Sequence, residues 1–322
     1  MKRLLVLLLI LFLLAGCGGE ASQPDLDAPA ADEGKMEEPS SQDEEVEEPV
    51  PALDTSALEG LPIGDFFEEA YYMLLARDPE GLLELGMYDG PPVLTDISAA
   101  ALAEENQIYL QLLDRLHEYD FDSLSDSEQI SYLVFEYYLE REIQIYQDRH
   151  FVYLVNSMAV RSKPQLYIMF FTDSHPMVSA QDAEDYVARV KLLDEKIDQL
   201  IERIEEAAEA GIIAPRIVLD YGRMEVKDYL GRSPRTSSLW GAFQEKTAPM
   251  SSLEPARRGE LAEELLAALE DEVFPAFGRL DDLLEELIEQ APGAVGLYAF
   301  PGGDEAYQHT LGRFTTTGPV SY

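Results

Sequence analysis

The fold is decided by residues 179–230, which read SAQDAEDYVARVKLLDEKIDQLIERIEEAAEAGIIAPRIVLDYGRMEVKDYL. Apolar residues recur in its first part at alternating steps of four and three, namely Tyr186, Val190, Leu193, Ile197, Leu200 and Ile204. This spacing places them on one side of an α-helix. Ser179 and Asp182 have the spacing of a capping box, and Gly211 suits the left-handed position after a helix. We therefore predict two helices joined at Gly211, the second beginning at Pro215, whose missing N–H leaves no hydrogen bond unmade.

Helical periodicity continues on both sides of this hairpin. It predicts helices over residues 66–75, 98–117 and 125–148, and a long helix over 254–290 with a kink at Pro275. Apolar residues surround the axis of the 125–148 helix, which predicts a position in the protein interior. No alternating run is long enough to predict a sheet, so the fold class is an all-α, multi-helix bundle with long amphipathic helices.

Two segments carry weaker patterns. Residues 151–171 are partly β-branched, and we predict a long crossover with one short helix there. Residues 231–252 contain Pro234 and Pro249 and are predicted to be a loop-rich linker.

The N-terminus has the pattern of an export signal. Lys2 and Arg3 precede eleven apolar residues from Leu4 to Leu14, too few for the roughly 20 that a membrane-spanning helix needs. Residues 14–17, Leu-Ala-Gly-Cys, resemble a bacterial lipobox, at which the signal is cut and the cysteine lipidated. We predict a lipoprotein signal peptide over 1–17, lipidation at Cys17 and an extracytoplasmic protein lipid-anchored to the bacterial cell membrane. The alternative is an uncleaved anchor that ends at a cysteine by chance.

Residues 18–56 are predicted to be a disordered acidic linker. Up to Thr55 they hold 13 acidic residues against one lysine and no aromatic residue, so they cannot bury enough apolar surface to fold. Residues 57–322 form the predicted α-helical domain. Cys17 is the only cysteine, which excludes an internal disulfide.

The charge balance excludes two classes of partner. With 63 acidic and 23 basic residues, the formal net charge is −40. Such a polyanion is repelled by nucleic acid and by anionic lipid headgroups. The acid excess is interpreted as a solvated surface; attraction of calcium or another cation is the alternative, but no dedicated loop is present.

No catalytic, cofactor-binding or metal-ligating residue is predicted. His117, His150, His175 and His309 lack the spacing of helical metal ligands and are interpreted as ordinary histidines. Asp120, Asp122 and Asp126 resemble a calcium loop only faintly, because Leu124 stands where an oxygen ligand is needed. Residues 301–304 could present N–H groups to an anion, but a turn with Asp304 as N-cap is favoured.

The C-terminal region carries a family resemblance. Residues 296–307 read GLYAFPGGDEAY and lead to LGRFTTT at 311–317; AGIIAPR at 210–216 and VFPAF at 273–277 precede them. These blocks, in this order, resemble the bacterial family known as domain of unknown function 885 (DUF885), over about residues 60–317.

The resemblance implies that the chain is the N-terminal half of something larger. Full-length members resemble mostly helical zinc metallopeptidases, whose H-E-x-x-H motif follows the Thr run. No residue here matches the zinc ligands or the catalytic glutamate, so zinc is expected only in full-length members, none in this chain, and the chain is not expected to be active alone.

Two functional hypotheses follow. The first is the N-terminal half of a surface-anchored, metallopeptidase-like lipoprotein whose C-terminal half is missing through truncation or a split gene. The second is a complete, non-catalytic lipoprotein that binds a peptide or an envelope partner. The first predicts a broad exposed apolar surface on the last helices, where the other half packs, and the second predicts a polar surface there.

Overall fold

The structure, a computed structural model, describes residues 55–156, 162–293 and 296–315. In these ranges all regular elements are helical, which confirms the all-α prediction, and none of the helices is long and apolar enough to cross a membrane. The predicted signal peptide, Cys17, the linker before Thr55 and the end of the Thr run lie outside the described residues. The short turn Thr55–Leu58 already belongs to the helical body, slightly before the predicted boundary at residue 57.

The first half of the described chain contains the helices α1 (Ile63–Leu75), α2 (Pro79–Glu84), α3 (Ala99–Leu116) and α4 (Asp126–Gln147). Helices α1, α3 and α4 pack around one apolar cluster, whereas Leu83 of α2 packs against the larger cluster of the second half. Helices α3 and α4 lie along each other, and the cluster between them and α1 includes the fully buried Phe66, Ile108, Leu112, Leu116 and Leu139. The predicted helices in this half are therefore confirmed.

The interior position predicted for α4 is wrong. Only Tyr132 and Leu139 of this helix are buried, while Ile130 is 64 % exposed and Leu133 51 % exposed. The prediction assumes that a helix with apolar residues all around its axis is covered by other helices on several sides. In the part of the chain that the structure describes, α4 packs mainly on α3 and α1, and its Arg141 also approaches Gly312, while the row with Ile130 and Leu133 stays exposed.

The second half forms a larger cluster. Its helices in chain order are α5 (Lys163–Met169), α6 (Ala180–Lys191), α7 (Leu193–Glu209), α8 (Arg216–Leu230), α9 (Ser238–Thr247), α10 (Pro255–Ala268), α11 (Phe274–Gln290) and α12 (Gly303–Phe314). Helix α11 packs along α8 and α7, and α10 packs along α6. Helix α5 is the short helix predicted in the crossover, and a π-helical turn, Phe170–Ser174, follows it.

The hairpin over 179–230 is confirmed with one correction. The Ser179 N–H donates to Asp182 Oδ2 at 2.8 Å and the Asp182 N–H donates to Ser179 Oγ at 3.1 Å, which completes the capping box. Gly211 takes the left-handed conformation with φ of 78°. The first helix is, however, divided at Leu192 into α6 and α7, and Pro215 is the N-cap of α8 rather than its first residue.

The linker predicted over 231–252 is wrong, because α9 lies within it. Ser237 caps this helix by accepting a hydrogen bond from the Trp240 N–H at 3.2 Å. Leu239 and Phe243 are fully buried, and the Tyr186 hydroxyl donates to the Leu239 carbonyl at 2.8 Å. The helix is only ten residues long, so its sequence shows too few turns for periodicity to outweigh the neighbouring prolines.

The long C-terminal helix is interrupted next to Pro275, as predicted. A π-helical turn, Leu269–Val273, separates α10 from α11. Proline has no N–H to donate, so the regular ladder fails at this point. The apolar rows on both sides of the turn are buried, including Leu261, Leu265, Leu280, Leu284 and Leu287.

The turn predicted at residues 301–304 is present, but its cap differs. Gly302, with φ of 72°, is the N-cap and α12 begins at Gly303, so Asp304 lies within the first turn. A Cβ on Gly303 would overlap the Leu297 carbonyl. The two glycines are therefore needed for backbone conformation and close approach.

Candidate functional site

The histidines are distributed over the molecule rather than gathered. His117 Nε2 lies 2.9 Å from Glu136 and His309 Nδ1 lies 3.0 Å from Asp148. In the described ranges, no group of three or more His, Cys, Asp or Glu side chains is arranged to hold a metal ion. The pairs found are ordinary surface or half-buried contacts.

His175 is the exception in burial, with 2 % of its surface exposed. Its Nε2 lies 2.9 Å from Arg189 Nη1 and its Nδ1 lies 2.8 Å from the Pro176 carbonyl. Because arginine can only donate, Nε2 is the acceptor and Nδ1 carries the proton that is donated to Pro176. Burial lowers the pKa of His175 to about 4, and the charges of Arg189 and Lys246 act in the same direction. This histidine is held neutral as part of the packing.

A second buried polar contact is centred on Lys196 of α7. Lys196, 3 % exposed, forms an ion pair with Glu80 and donates to the Thr95 carbonyl at 3.2 Å. Its ammonium also lies 4.8 Å from the centre of the Tyr167 ring. The role of this contact is to hold the segment before α3 against α7.

A cleft with mixed lining is the best candidate site. It lies between α7, α8, the start of α3 and the segment 149–155, and its solvent-accessible volume is about 40 Å³. Apolar side chains form most of its wall, including Leu154, Ile204, Ile212, Ile213 and Leu219. That volume holds roughly three water molecules, so the cleft accepts a small chemical group rather than a large substrate.

The polar lining of the cleft holds two cationic residues, Arg149 and Arg203, and one acidic residue, Glu206. His150 also lines the cleft. In the described ranges neither arginine has a carboxylate within ion-pair distance; Arg149 stacks on the Tyr146 ring at 4.5 Å. Burial lowers the pKa of Arg203; Tyr167 and Glu206 oppose this shift, and the charge of Arg149 adds a smaller lowering.

Two buried polar atoms on the wall have no hydrogen-bond partner within the part of the chain that the structure describes. They are His150 Nε2 and the Tyr153 hydroxyl. Burial lowers the pKa of His150, and the charges of Arg149 and Arg203 lower it further. Burial also raises the pKa of Tyr153. Both groups are therefore neutral near pH 7 and able to donate a hydrogen bond.

Close helix packing builds this wall. A Cβ on Gly222 would lie 2.5 Å from the Val155 carbonyl oxygen and 2.9 Å from Val155 Cβ. The bare backbone of α8 thus lets the segment 149–155 approach, and the turn Arg149–Phe151 packs on α7. Sequence analysis missed this site, treating His150 singly. The adjacent Arg149 and His150 were the available signal, but periodicity does not show that Arg203 lies beside them.

Half of the large apolar residues that are exposed in the described ranges lie on three helices, and the other half are spread over the rest of the surface. On α4, residues at steps of three and four are exposed, which we call the α4 face: Ile130, Leu133, Val134 and Tyr137. Helix α8 exposes Ile217, Tyr221 and Met224, and α12 exposes Tyr307 and Phe314. On the last helices, α12 thus exposes two large apolar residues and α11 buries its apolar row, so a broad apolar surface there stays a prediction. Helix α4 exposes an apolar row that the sequence does not predict to be exposed.

Comparison with known proteins identifies a family and a fold. The profile described as "Bacterial protein of unknown function (DUF885)" matches residues 79–319. No curated protein matches significantly. The crystal structure of a presumed lipoprotein from Colwellia psychrerythraea aligns with a TM-score of 0.68 at 15 % sequence identity. The alignment covers 81 % of this chain and 47 % of that one, so this chain spans about half the length of that structure.

Proposed function

From the premise that this chain belongs to the DUF885 family of bacterial proteins, we propose that it is an extracytoplasmic lipoprotein, anchored to the cell membrane through Cys17. The helical body is, in this proposal, one half of a larger, metallopeptidase-like assembly and is inactive alone. The lipobox-like residues 14–17 and the description of the Colwellia protein as a presumed lipoprotein support the anchor.

The observation that carries the scaffold role is the α4 face. Large apolar side chains exposed by 43 to 64 % along one helix mark an interaction surface rather than scattered surface residues. The structurally similar Colwellia chain is about twice as long as the portion that aligns. We therefore assign the α4 face to a helical partner that corresponds to the second half of such a longer protein.

The anchor is tested by Cys17→Ser in the producing bacterium. Wild-type protein is expected in the detergent-soluble membrane fraction, since two or more acyl chains give stable attachment, and the variant is expected in the soluble fraction. Ser22→Ala, close by in the linker, is the control and should leave attachment unchanged. A Cys17→Ser protein that stays with the membrane contradicts the anchor.

The partner is tested by co-expressing the chain with the polypeptide that the same locus encodes beyond Tyr322. The two are expected to co-purify, and Leu133→Glu with Tyr137→Glu should abolish the complex by placing charges in an apolar interface. Val178→Glu, an equally apolar position that is 84 % exposed on another segment, should not. Absence of a complex, or its survival in the α4 variant, rejects this assignment.

A complete, non-catalytic binding protein is the second candidate. The cationic cleft favours it, because that site needs no second half to be formed. Under both candidates the purified chain is expected to retain no stoichiometric zinc and to hydrolyse no peptide; one tightly bound zinc per chain, with hydrolysis lost on chelation, would reject both.

A further inference from the structure

We propose that the cleft between α7, α8 and the segment 149–155 is a binding site for an aliphatic carboxylate, such as the C-terminal residue of a peptide. This inference does not depend on the membrane anchor or on a second half, because all the lining residues belong to one helical body.

The cleft brings together two arginines without an ion pair. Elsewhere many cationic side chains are paired with carboxylates, such as Arg223 with Asp281 and Arg279 with Asp194. In the described ranges Arg149 and Arg203 have no carboxylate within ion-pair distance; Glu206 on the lining acts on Arg203 only from farther away, and Arg149 adds a smaller repulsion. A carboxylate between two guanidinium groups forms short, charge-assisted hydrogen bonds and removes that repulsion.

The unpaired polar atoms give an independent reason. Of the ten buried side-chain polar atoms without a partner in the described ranges, two, His150 Nε2 and the Tyr153 hydroxyl, belong to residues that line this cleft. Buried polar groups without a partner are uncommon and costly, and each needs an explanation. A carboxylate offers about four acceptor positions on two oxygens, enough for the two arginines and for these two donors.

Size and apolarity decide the class of anion. An accessible volume of about 40 Å³ fits a single carboxylate group. The adjoining aliphatic wall of Leu154, Ile204 and Ile213 gains no apolar contact from a fully polar ion such as phosphate. A short branched side chain would bury apolar surface against it. An aliphatic α-carboxylate satisfies both parts of the cleft.

The test is isothermal titration calorimetry of the full mature chain with N-acetyl-L-leucine, which measures the affinity of binding. Saturable binding is expected, while the neutral N-acetyl-L-leucinamide should bind at least tenfold more weakly, because it lacks the charge that the arginines recognise. Arg203→Gln should weaken N-acetyl-L-leucine at least tenfold, and Arg203→Lys should weaken it less because the charge remains.

The matched control is Arg232→Gln, which removes the same charge from an arginine that is exposed and paired with Asp228. Its affinity for N-acetyl-L-leucine should equal that of the wild type, and thermal denaturation should show that every variant is folded. Equal binding of acid and amide, no effect of Arg203→Gln in a folded variant, or tighter binding of inorganic phosphate than of N-acetyl-L-leucine would each overturn the proposal. None of these results bears on Cys17 or on the α4 face, so the two proposals fail separately.

Discussion

Position 222 has no room for a side chain. Alanine is preferred over glycine within a helix by about 1 kcal/mol, yet a Cβ at Gly222 would lie 2.5 Å from the Val155 carbonyl oxygen, which is backbone and cannot rotate away. We expect Gly222→Ala to lower the free energy of unfolding by about 1–3 kcal/mol through overpacking. Urea denaturation followed by circular dichroism measures this change.

Gly278 in α11 is the matched control. No atom lies within 4 Å of a Cβ placed there, so Gly278→Ala should raise the free energy of unfolding by up to about 1 kcal/mol. If both substitutions stabilise the protein, the close approach of α8 to segment 149–155 is wrong.

His175 should make stability depend on pH. Its pKa of about 4 in the folded protein lies below the value of about 6.5 in the unfolded chain, so acid favours unfolding. Its contribution is fully present above about pH 6.5 and is lost as the pH falls toward 4, by roughly 3 kcal/mol at about 1.4 kcal/mol per unit of pKa. His175→Gln should remove this part of the slope, measured as the free energy of unfolding between pH 7 and pH 4.5.

The control for this slope is Phe170→Leu, an apolar change beside the same ring, 5.8 Å away between ring centres. It should lower stability at every pH and leave the slope as in the wild type. A His175→Gln protein with an unchanged slope would show that other groups produce the acid sensitivity.

Residue-level prediction from sequence succeeded where the rule is local. The capping box of Ser179 and Asp182 and the left-handed Gly211 depend on neighbours within a few positions, and the structure confirms both. The pairing of Arg149 with Arg203 and the burial of His175 depend on contacts between distant segments. No spacing along the chain encodes those contacts, so the cationic cleft could not be predicted.

At the scale of the helix, the exposed and buried faces of α4 should differ in how much they contribute to the stability of the fold. Leu133 is half exposed and Leu139 is fully buried, although the two are close in sequence and chemically identical. Leu139→Ala should lower the free energy of unfolding by about 2–5 kcal/mol, whereas Leu133→Ala should change it by no more than about 0.5 kcal/mol. Denaturation curves of the two variants under identical conditions provide the comparison. Equal losses would place both residues in the interior, as the sequence pattern alone indicates.

Periodicity located the long helices well and misjudged two elements for different physical reasons. Helix α9 was missed because ten residues beside two prolines give a short pattern, while its stability comes from burying Leu239 and Phe243. Helix α4 was placed in the interior because a sequence records that a side chain is apolar, not whether a partner covers it. The first error arises because α9 is too short to show a periodic pattern. The second arises because the sequence does not show which helices cover α4.

Across the whole molecule, the pair of Lys196 and Glu80 connects two helices that are far apart in the chain, α7 and α2. Lys196→Met removes one partner of a buried pair and leaves Glu80 without its counter-ion, so a loss of about 3–5 kcal/mol is expected. Adding Glu80→Gln should recover part of this loss, because the amide oxygen can still accept the Thr95 N–H, as Glu80 Oε1 does at 3.2 Å. Chemical denaturation of the single and double variants measures the coupling.

Lys191→Met serves as the control for that cycle. Lys191 pairs with Glu264 at 3.5 Å, and both side chains are 42 % exposed. Exposed ion pairs contribute at most about 1 kcal/mol, so this variant should remain close to the wild type. A loss as large as that of Lys196→Met would mean that the buried pair has no special role in joining α2 to α7.

The π-helical turn Leu269–Val273 also sets the length of the chain at this point. A π-helical turn holds about one residue more than an α-helical turn, so deleting one residue there can convert it into an ordinary turn while the side chains that follow keep nearly the same direction. Leu280, Leu284 and Leu287 would then stay in the shared interior with α7 and α8. A one-residue deletion elsewhere in α11 has no wide turn to absorb it and rotates all that follows by about 100°, so gaps in homologous proteins should fall in this turn rather than within α11.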